Sequence, residues 1–201
     1  MLAVEIYRTI AKPSEGVYKE KGSKFLAYAY PVYEVDQVKT ILSRHRKTHH
    51  DARHHCYAYL LQPDGSEYRV NDDGEPSGTA GKPILGQIKS FHLTYVLIVV
   101  IRYFGGTLLG VGGLIRSYRN AAKDALAHAE IIECKVLKKI RIRLGYERLD
   151  QVMRWIDHFD IKLSNQHFDT DVTMDLDVPV KYLNELTNKI EETKGIIISK
   201  E

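Results

Sequence analysis

Cysteine is scarce in this chain. Its 201 residues include two, Cys56 and Cys134, with no Cys-x-x-Cys spacing. That excludes a disulfide-stapled scaffold and fits a reducing compartment. Long hydrophobic runs are missing as well. The longest, residues 95–101, falls far short of the roughly 20 apolar residues of a membrane-spanning helix. The opening residues, MLAVEIYRTI, have no basic region leading into an apolar stretch, so the expectation is a cytoplasmic protein without a secretory leader. Nor does either sign of charge dominate: the net charge is +3, too mild to establish a nucleic-acid partner by itself. With 44% hydrophobic and 27% charged residues, the composition is that of a soluble globular protein.

The small positive excess is unevenly placed. In residues 1–136, 18 Lys+Arg stand against 14 Asp+Glu, a net +4, whereas residues 137–201 hold 11 against 12, a net −1. Any attraction for a polyanion is therefore expected in the first part. The hydrophobic patterning changes at the same place, which predicts two domains, 1–136 and 137–201, joined near residues 133–138. The second reads most cleanly. Residues 139–144 alternate basic and apolar, as a half-buried strand does. Leu149, Val152, Met153, Ile156 and Phe159 recur at helical spacing, residues 161–168 read as a strand, and Val172, Met174, Leu176 and Val178 alternate with Thr173, Asp175 and Asp177. Leu183, Leu186 and Ile190 mark a helix that Gly195 stops before a last strand at 196–199. The order βαββαβ is a ferredoxin-like unit. Its first and third strands are neighbours, so Arg141 and Arg143 are expected to face Asp175 and Asp177, neutralising the basic stripe within the protein.

The first part alternates strands and helices: a strand at 25–32, a helix carrying Val35, Val38, Ile41 and Leu42, strands at 56–61 and near 67–70, and a helix carrying Ile84, Ile88 and Phe91. Residues 96–101 follow without alternation and are rich in β-branched side chains, so this strand should be covered on both faces. Leu114, Tyr118, Ala121, Ala122, Ala125 and Leu126 then line one face of a long helix. The fold class is α+β, of the α/β sandwich type.

Two glycine-rich loops bracket the buried strand. The first, residues 71–83, places Asp72, Asp73, Gly74, Glu75, Pro76, Ser77, Gly78, Thr79 and Gly81 ahead of Lys82 and a helix start, with Pro83 suited to the first turn. Glycine lets backbone N–H groups approach a ligand, and a helix N-terminus favours an anion, so the place suits phosphate. A Walker A loop is excluded, because Pro83 stands where Ser or Thr would follow Lys82. The alternative is a rigid turn whose acids cap the helix and hold no ligand. The second loop, residues 102–113, carries Arg102, Tyr103, Phe104, Gly105, Gly106, Gly112 and Gly113. Arginine beside aromatics and mobile backbone makes a platform for single-stranded nucleic acid, unless Tyr103 and Phe104 belong to the core and the glycines serve close packing. Arg116, Arg119 and Lys123 follow at spacings of three and four and share one helix face, which is either a phosphate-binding face or simply a solvated one.

His45, His49, His50, His54, His55 and Cys56 form a third cluster. No second cysteine lies nearby and the ligands do not fall into pairs, so no metal and no cofactor is expected. Histidines at a helix end beside Arg44, Arg46 and Lys47 would instead complement the helix dipole as cations. His55 and Cys56 sit on opposite faces of one strand, so His55 cannot activate the thiol.

The run Asp73-Gly74-Glu75-Pro76-Ser77-Gly78-Thr79-Ala80-Gly81-Lys82-Pro83, with Val99-Val100-Ile101-Arg102-Tyr103-Phe104-Gly105-Gly106, Leu109-Gly110-Val111-Gly112-Gly113-Leu114 and Ala52-Arg53-His54-His55-Cys56-Tyr57-Ala58, closely resembles the IMPACT/YigZ family. The resemblance covers the whole chain and implies a core like the second domain of a small-subunit ribosomal protein, followed by the ferredoxin-like domain of bacterial members. The pair is similar to domains IV and V of elongation factor G. Eukaryotic relatives act in translational control through an additional N-terminal domain that binds a regulator of the starvation-response kinase. Since this chain begins at the core, that partner is not expected here. Three functional expectations follow. The first is a non-enzymatic RNA- or ribosome-binding protein affecting translation, with Lys82, Arg102, Tyr103, Phe104, Arg116, Arg119 and Lys123 as the contact surface and no membrane partner. The second is an enzyme acting on a phosphorylated small molecule or nucleotide, with Asp72, Asp73 and Glu75 holding magnesium or acting as a base. The third is an interaction module with no polyanion ligand.

Overall fold

A computed structural model describes residues 4–199. Eleven strands and five α-helices follow in the order β1 (Ile6–Ile10), β2 (Ser14–Glu20), β3 (Ser23–Pro31), α1 (Val35–Thr48), β4 (His54–Leu61), β5 (Glu67–Asn71), α2 (Gly81–Ser90), β6 (Val96–Tyr103), α3 (Gly110–Ala127), β7 (Ile131–Lys135), β8 (Leu137–Leu144), α4 (Leu149–His158), β9 (Lys162–Phe168), β10 (Val172–Pro179), α5 (Val180–Glu192) and β11 (Ile196–Ser199). They divide into two compact units: Tyr7–Cys134, and residues 135–199 together with residues 4–6. Both mix helix and sheet, so the chain is a two-unit α+β protein. No described helix is long and apolar enough to cross a membrane.

In the larger unit the sheet runs β2-β3-β6-β4-β5, every neighbouring pair antiparallel. β6 lies at the centre, and its side chains from Val96 to Arg102 are all buried. Lack of alternation in a strand usually signals a parallel sheet between helices. Here the sheet is antiparallel, yet β6 is still covered twice, because helices lie against both faces. On one face Ala27, Ala29 and Ala58 sit beside Val96, Ile98 and Val100, and these small side chains let α2 and α3 approach with Ile84, Ile88, Tyr118, Ala121 and Ala125. The other face carries Tyr57, Tyr59, Leu97, Val99 and Ile101, with Tyr28 and Tyr30 alongside, and α1 lays Val38, Ile41 and Leu42 across them. Large side chains let one helix cover the face that α1 packs against, whereas the alanine face takes two.

β1, β2 and β7 have no counterpart in the sequence reading, which places the domain boundary near residues 133–138. β1 and β7 pair in a two-stranded sheet. β2, with the sequence SEGVYKE, docks its edge on α3: Ser14 Oγ donates to the Ala125 carbonyl at 2.8 Å, and the Val17 N–H donates to Asp124 at 2.8 Å.

The smaller unit has strand order β11-β8-β10-β9, antiparallel throughout, with α4 and α5 contributing Val152, Ile156, Leu186 and Ile190 to a core with Ile142, Leu144, Met174 and Leu176. This is the ferredoxin-like arrangement expected from the pattern. The charge pairing differs in one respect. Asp175 faces Arg141 and accepts from its Nε at 2.5 Å and its Nη2 at 3.0 Å. Antiparallel strands count in opposite directions, so Arg143 faces Thr173 and Asp177 faces Lys139. Arg143 turns instead to Asp171 in the β9–β10 connection, at 2.8 Å.

Candidate functional site

The first loop closes on its own carboxylate. Asp72, just past β5, accepts hydrogen bonds from the backbone N–H groups of Gly78 at 2.8 Å, Ala80 at 3.0 Å and Gly81 at 2.8 Å. The donors at the start of α2 that would hold a phosphate therefore already hold an anion. Burial opposes ionisation of Asp72, but these three N–H groups outweigh it and hold its carboxyl below the usual range. Asp73 ties the loop to the neighbouring elements. It accepts from the His55 N–H and from Arg46, both at 2.7 Å, while its carbonyl accepts from His54 Nδ1 at 2.8 Å.

Glu75 turns inward and is 8% exposed. Its Oε1 accepts from Arg102 Nη1 and from the Tyr118 hydroxyl, each at 2.7 Å. Cys56 Sγ lies 3.3 Å from that hydroxyl and 3.0 Å from the Asp72 carbonyl oxygen, so its one proton is shared between two acceptors. Burial pushes both the Cys56 thiol and the Tyr118 phenol upward, and both remain protonated at neutral pH. The strand explains why Arg102 reaches this place. Val96, Ile98 and Val100 face α2 and α3, and Arg102 continues that series by the two-residue period. Its guanidinium lies 5.6 Å from the ring centres of both Phe25 and Phe104. Beside the pair is a cavity of about 370 Å³, lined among others by Glu75, Arg102, Phe104, Leu108, Val111 and Leu114.

The sequence profile of the Impact N-terminal domain matches residues 21–126. The chain belongs to the IMPACT family. It is 32% identical to the IMPACT family member YigZ of Escherichia coli over 90% of each chain. It is 30% identical to the family member YvyE of Bacillus subtilis, over 94% of this chain and 90% of that one. A crystal structure of a hypothetical protein, 29% identical, aligns over 99% of this chain and 100% of the other with a TM-score of 0.74. Both loops and the whole lining of the cavity lie within the matched Impact segment.

The residues of the Impact segment singled out from sequence do not share one surface. Arg102 is 6% exposed and paired. Tyr103, one residue on, belongs to the opposite face, where its hydroxyl meets His49 Nδ1 at 2.9 Å and Asp51 at 3.3 Å. Phe104 is 45% exposed at the cavity. Lys82 and Arg119 line an open groove between α2 and α3. Arg116 and Lys123 are exposed on α3, and neither they nor Arg119 form an ion pair among the described residues. The second loop is shorter than its glycines suggested. α3 starts at Gly110, so Gly112 and Gly113 are helical, and Gly105 is held on the β2–β3 hairpin through its N–H to Ser23 Oγ at 3.2 Å. That hairpin also brings exposed Lys21 and Lys24 beside the loop, which sequence reasoning missed. The Glu75–Arg102 pair had a legible signal: an arginine ending a strand buried on both faces needs a counter-charge nearby.

The histidines at the end of α1 stack on each other and lie tilted or edge-on against Tyr28, Tyr30 and Tyr103. His45 Nε2 meets the Tyr30 hydroxyl at 2.8 Å, and the His45 and His49 rings lie 5.9 Å apart. Among the described residues no group of three or more His, Cys, Asp or Glu side chains is placed to hold a metal. His45 was expected as a cation at the helix end. Burial instead drives its pKa down to about 4, leaving the ring neutral at physiological pH. The unfolded ring, with a pKa of about 6.5, binds the proton first as pH falls. His45 therefore contributes stability that is complete above pH 6.5 and is lost as pH drops toward 4. Burial lowers His55 as well, with the same sign. Thermal unfolding followed by circular dichroism should show the midpoint falling across this window. His45→Phe should remove a part on the order of 3 kcal/mol of that dependence; an unchanged pH profile in the variant would refute the assignment.

Proposed function

We propose that this IMPACT-family protein is a non-enzymatic RNA- or ribosome-binding protein with a regulatory role in translation. The observation that carries the reading is the division of charge around the two loops. The acids are already partnered, Asp72 by backbone N–H groups, Asp73 by the half-exposed Arg46 and Glu75 by the buried Arg102. The cations Lys82, Arg116, Arg119 and Lys123 stay at the surface of α2 and α3, where phosphates bind. The family resemblance, with its eukaryotic relatives in translational control, supplies the setting. The enzymatic alternative needs carboxylates for magnesium or proton transfer, and each of these three acids is already engaged by a separate partner, which weighs against it.

The test is the salt dependence of binding to single-stranded ribosomal RNA fragments, measured by fluorescence anisotropy. Affinity should fall steeply from 50 to 200 mM salt. The double variant Arg116→Ala, Arg119→Ala should flatten the log–log slope by roughly 0.7 for each phosphate contact removed. Co-sedimentation with ribosomes should weaken in parallel. Absent or salt-independent binding defeats the reading, and nucleotide turnover lost on Asp73→Ala would favour the enzyme.

A further inference from the structure

We infer that the cavity beside Phe104 takes one unstacked nucleobase presenting a keto oxygen next to a ring N–H, the edge shared by guanine and uracil. The inference rests on the RNA-binding reading and specifies what its site selects.

The polar side of the cavity is chemically incomplete. A guanidinium has five N–H donors and no acceptor, and Arg102 commits Nη1 to Glu75 while its Nε–H is buried with no partner. Arg102 is itself 94% buried, being 6% exposed. Glu75 takes both of its hydrogen bonds on Oε1, and Oε2 carries none among the described residues. Arg102 Nη2 likewise carries no hydrogen bond among the described residues, and neither it nor Glu75 Oε2 is sealed in as Nε is, so these two lining residues keep an open donor and an open acceptor. A phosphate would satisfy Arg102 but meet the Glu75 carboxylate as a like charge, and a purely apolar ligand would satisfy neither. A ring that offers an acceptor and an N–H on adjacent atoms satisfies both, and keto oxygens of bases are favoured arginine partners. His54 also lines this wall, with its Nδ1 donating to the Asp73 carbonyl at 2.8 Å and its Nε2 4.0 Å from Glu75 Oε1.

The remaining walls suit a flat ring. Phe104 is 45% exposed and Leu108 84% on the loop, and Val111 59% in the first turn of α3, a concentration of bare apolar surface around the cavity mouth. Bases stack on such aromatics without a sequence requirement of their own. Selectivity would therefore come from Glu75 and Arg102, which read only a base that Phe104 holds in the cavity. The volume, about 370 Å³, lies near the lower end of ligand-sized cavities, roughly 300–1,000 Å³, which suits one base and not several. Arg53 on the cavity wall, with Lys21 and Lys24 on the adjoining hairpin, provides positive charge for the attached phosphates.

The experiment compares fluorescein-labelled ten-nucleotide single strands, U10 and (GU)5 against C10 and A10, with the full-length protein. Free GMP and UMP are titrated separately by calorimetry. U10 and (GU)5 should bind about tenfold more tightly than C10 and A10. Phe104→Ala, on an exposed loop, should abolish that preference without altering the salt slope, and Phe104→Trp should restore it. Equal affinity for all four strands, or a preference that survives Phe104→Ala, overturns the inference while the RNA-binding reading stands. Binding of GMP or UMP without any binding of RNA retains the base pocket and retires the RNA reading. If neither RNA nor mononucleotide binds, both fail.

Discussion

Glu75→Ala is expected to destabilise the larger unit by about 3–5 kcal/mol, the usual consequence of removing one member of a buried ion pair. The side chains of Glu75 and Arg102 are 3% and 7% exposed, so the arginine left behind keeps a charge that water reaches poorly. Its Nε–H already lacks a partner. Loss of Oε1 also strands Nη1 and the Tyr118 hydroxyl, each bonded to it at 2.7 Å, and an orphaned buried donor costs about 1–3 kcal/mol. The double variant Glu75→Met, Arg102→Met should recover most of the loss, because replacing a buried pair by apolar side chains of similar size is often neutral. Urea unfolding with a constant slope would measure both. A single-variant cost under 1 kcal/mol would mean that water entering through the cavity solvates the guanidinium, and the pair would then be a site feature with little structural weight.

That pair marks the boundary of what the sequence could reveal. The covering of β6 was legible because an unbroken run of Val, Ile and Leu has no polar face to show to solvent. The smaller unit was legible because each strand and helix kept its own period. β2 was not, since SEGVYKE repeats at neither two nor 3.6 residues. Its place is set by Gly16 and Ser14 meeting α3 more than a hundred residues later, and no local pattern encodes that. The first loop was ambiguous in principle. Glycines, acids and a helix start describe a phosphate cradle and a self-filled cradle equally well, and only the position of the Asp72 carboxylate decides between them. Residue pairs such as Glu75 with Arg102, 27 apart in sequence, depend on how β6 lies against a loop from the other side of α2. The Arg143 error was of another kind, because the antiparallel pairing implied by the predicted topology already placed Arg143 opposite Thr173.

The glycines of the second loop should respond very differently to the same substitution, and Gly105→Ala should be the severe one. A Cβ there would lie 1.9 Å from the Gly22 carbonyl carbon and 2.1 Å from the Ser23 nitrogen. Both are backbone atoms of the β2–β3 hairpin, so no side chain can swing aside, and either the hairpin or the loop must move. Overpacking of this kind costs about 1–3 kcal/mol and sometimes more, and the Gly105 N–H bond to Ser23 Oγ would go with it. Gly106 has nothing within 4 Å of a built Cβ but a φ of +83°, so Gly106→Ala carries backbone strain alone, roughly 1 kcal/mol. Gly112 is also open and lies within α3 with no positive φ. There alanine favours the helix, and Gly112→Ala should be neutral or stabilising by up to about 1 kcal/mol. Thermal midpoints of the three variants should therefore rank Gly105→Ala lowest, Gly106→Ala next and Gly112→Ala at or above the parent. Uniform small losses would mean that the segment is a mobile platform, as its composition first suggested. The predicted ranking would mean that Gly105 fixes the loop to the hairpin, holding Phe104 against Arg102 at the mouth of the cavity.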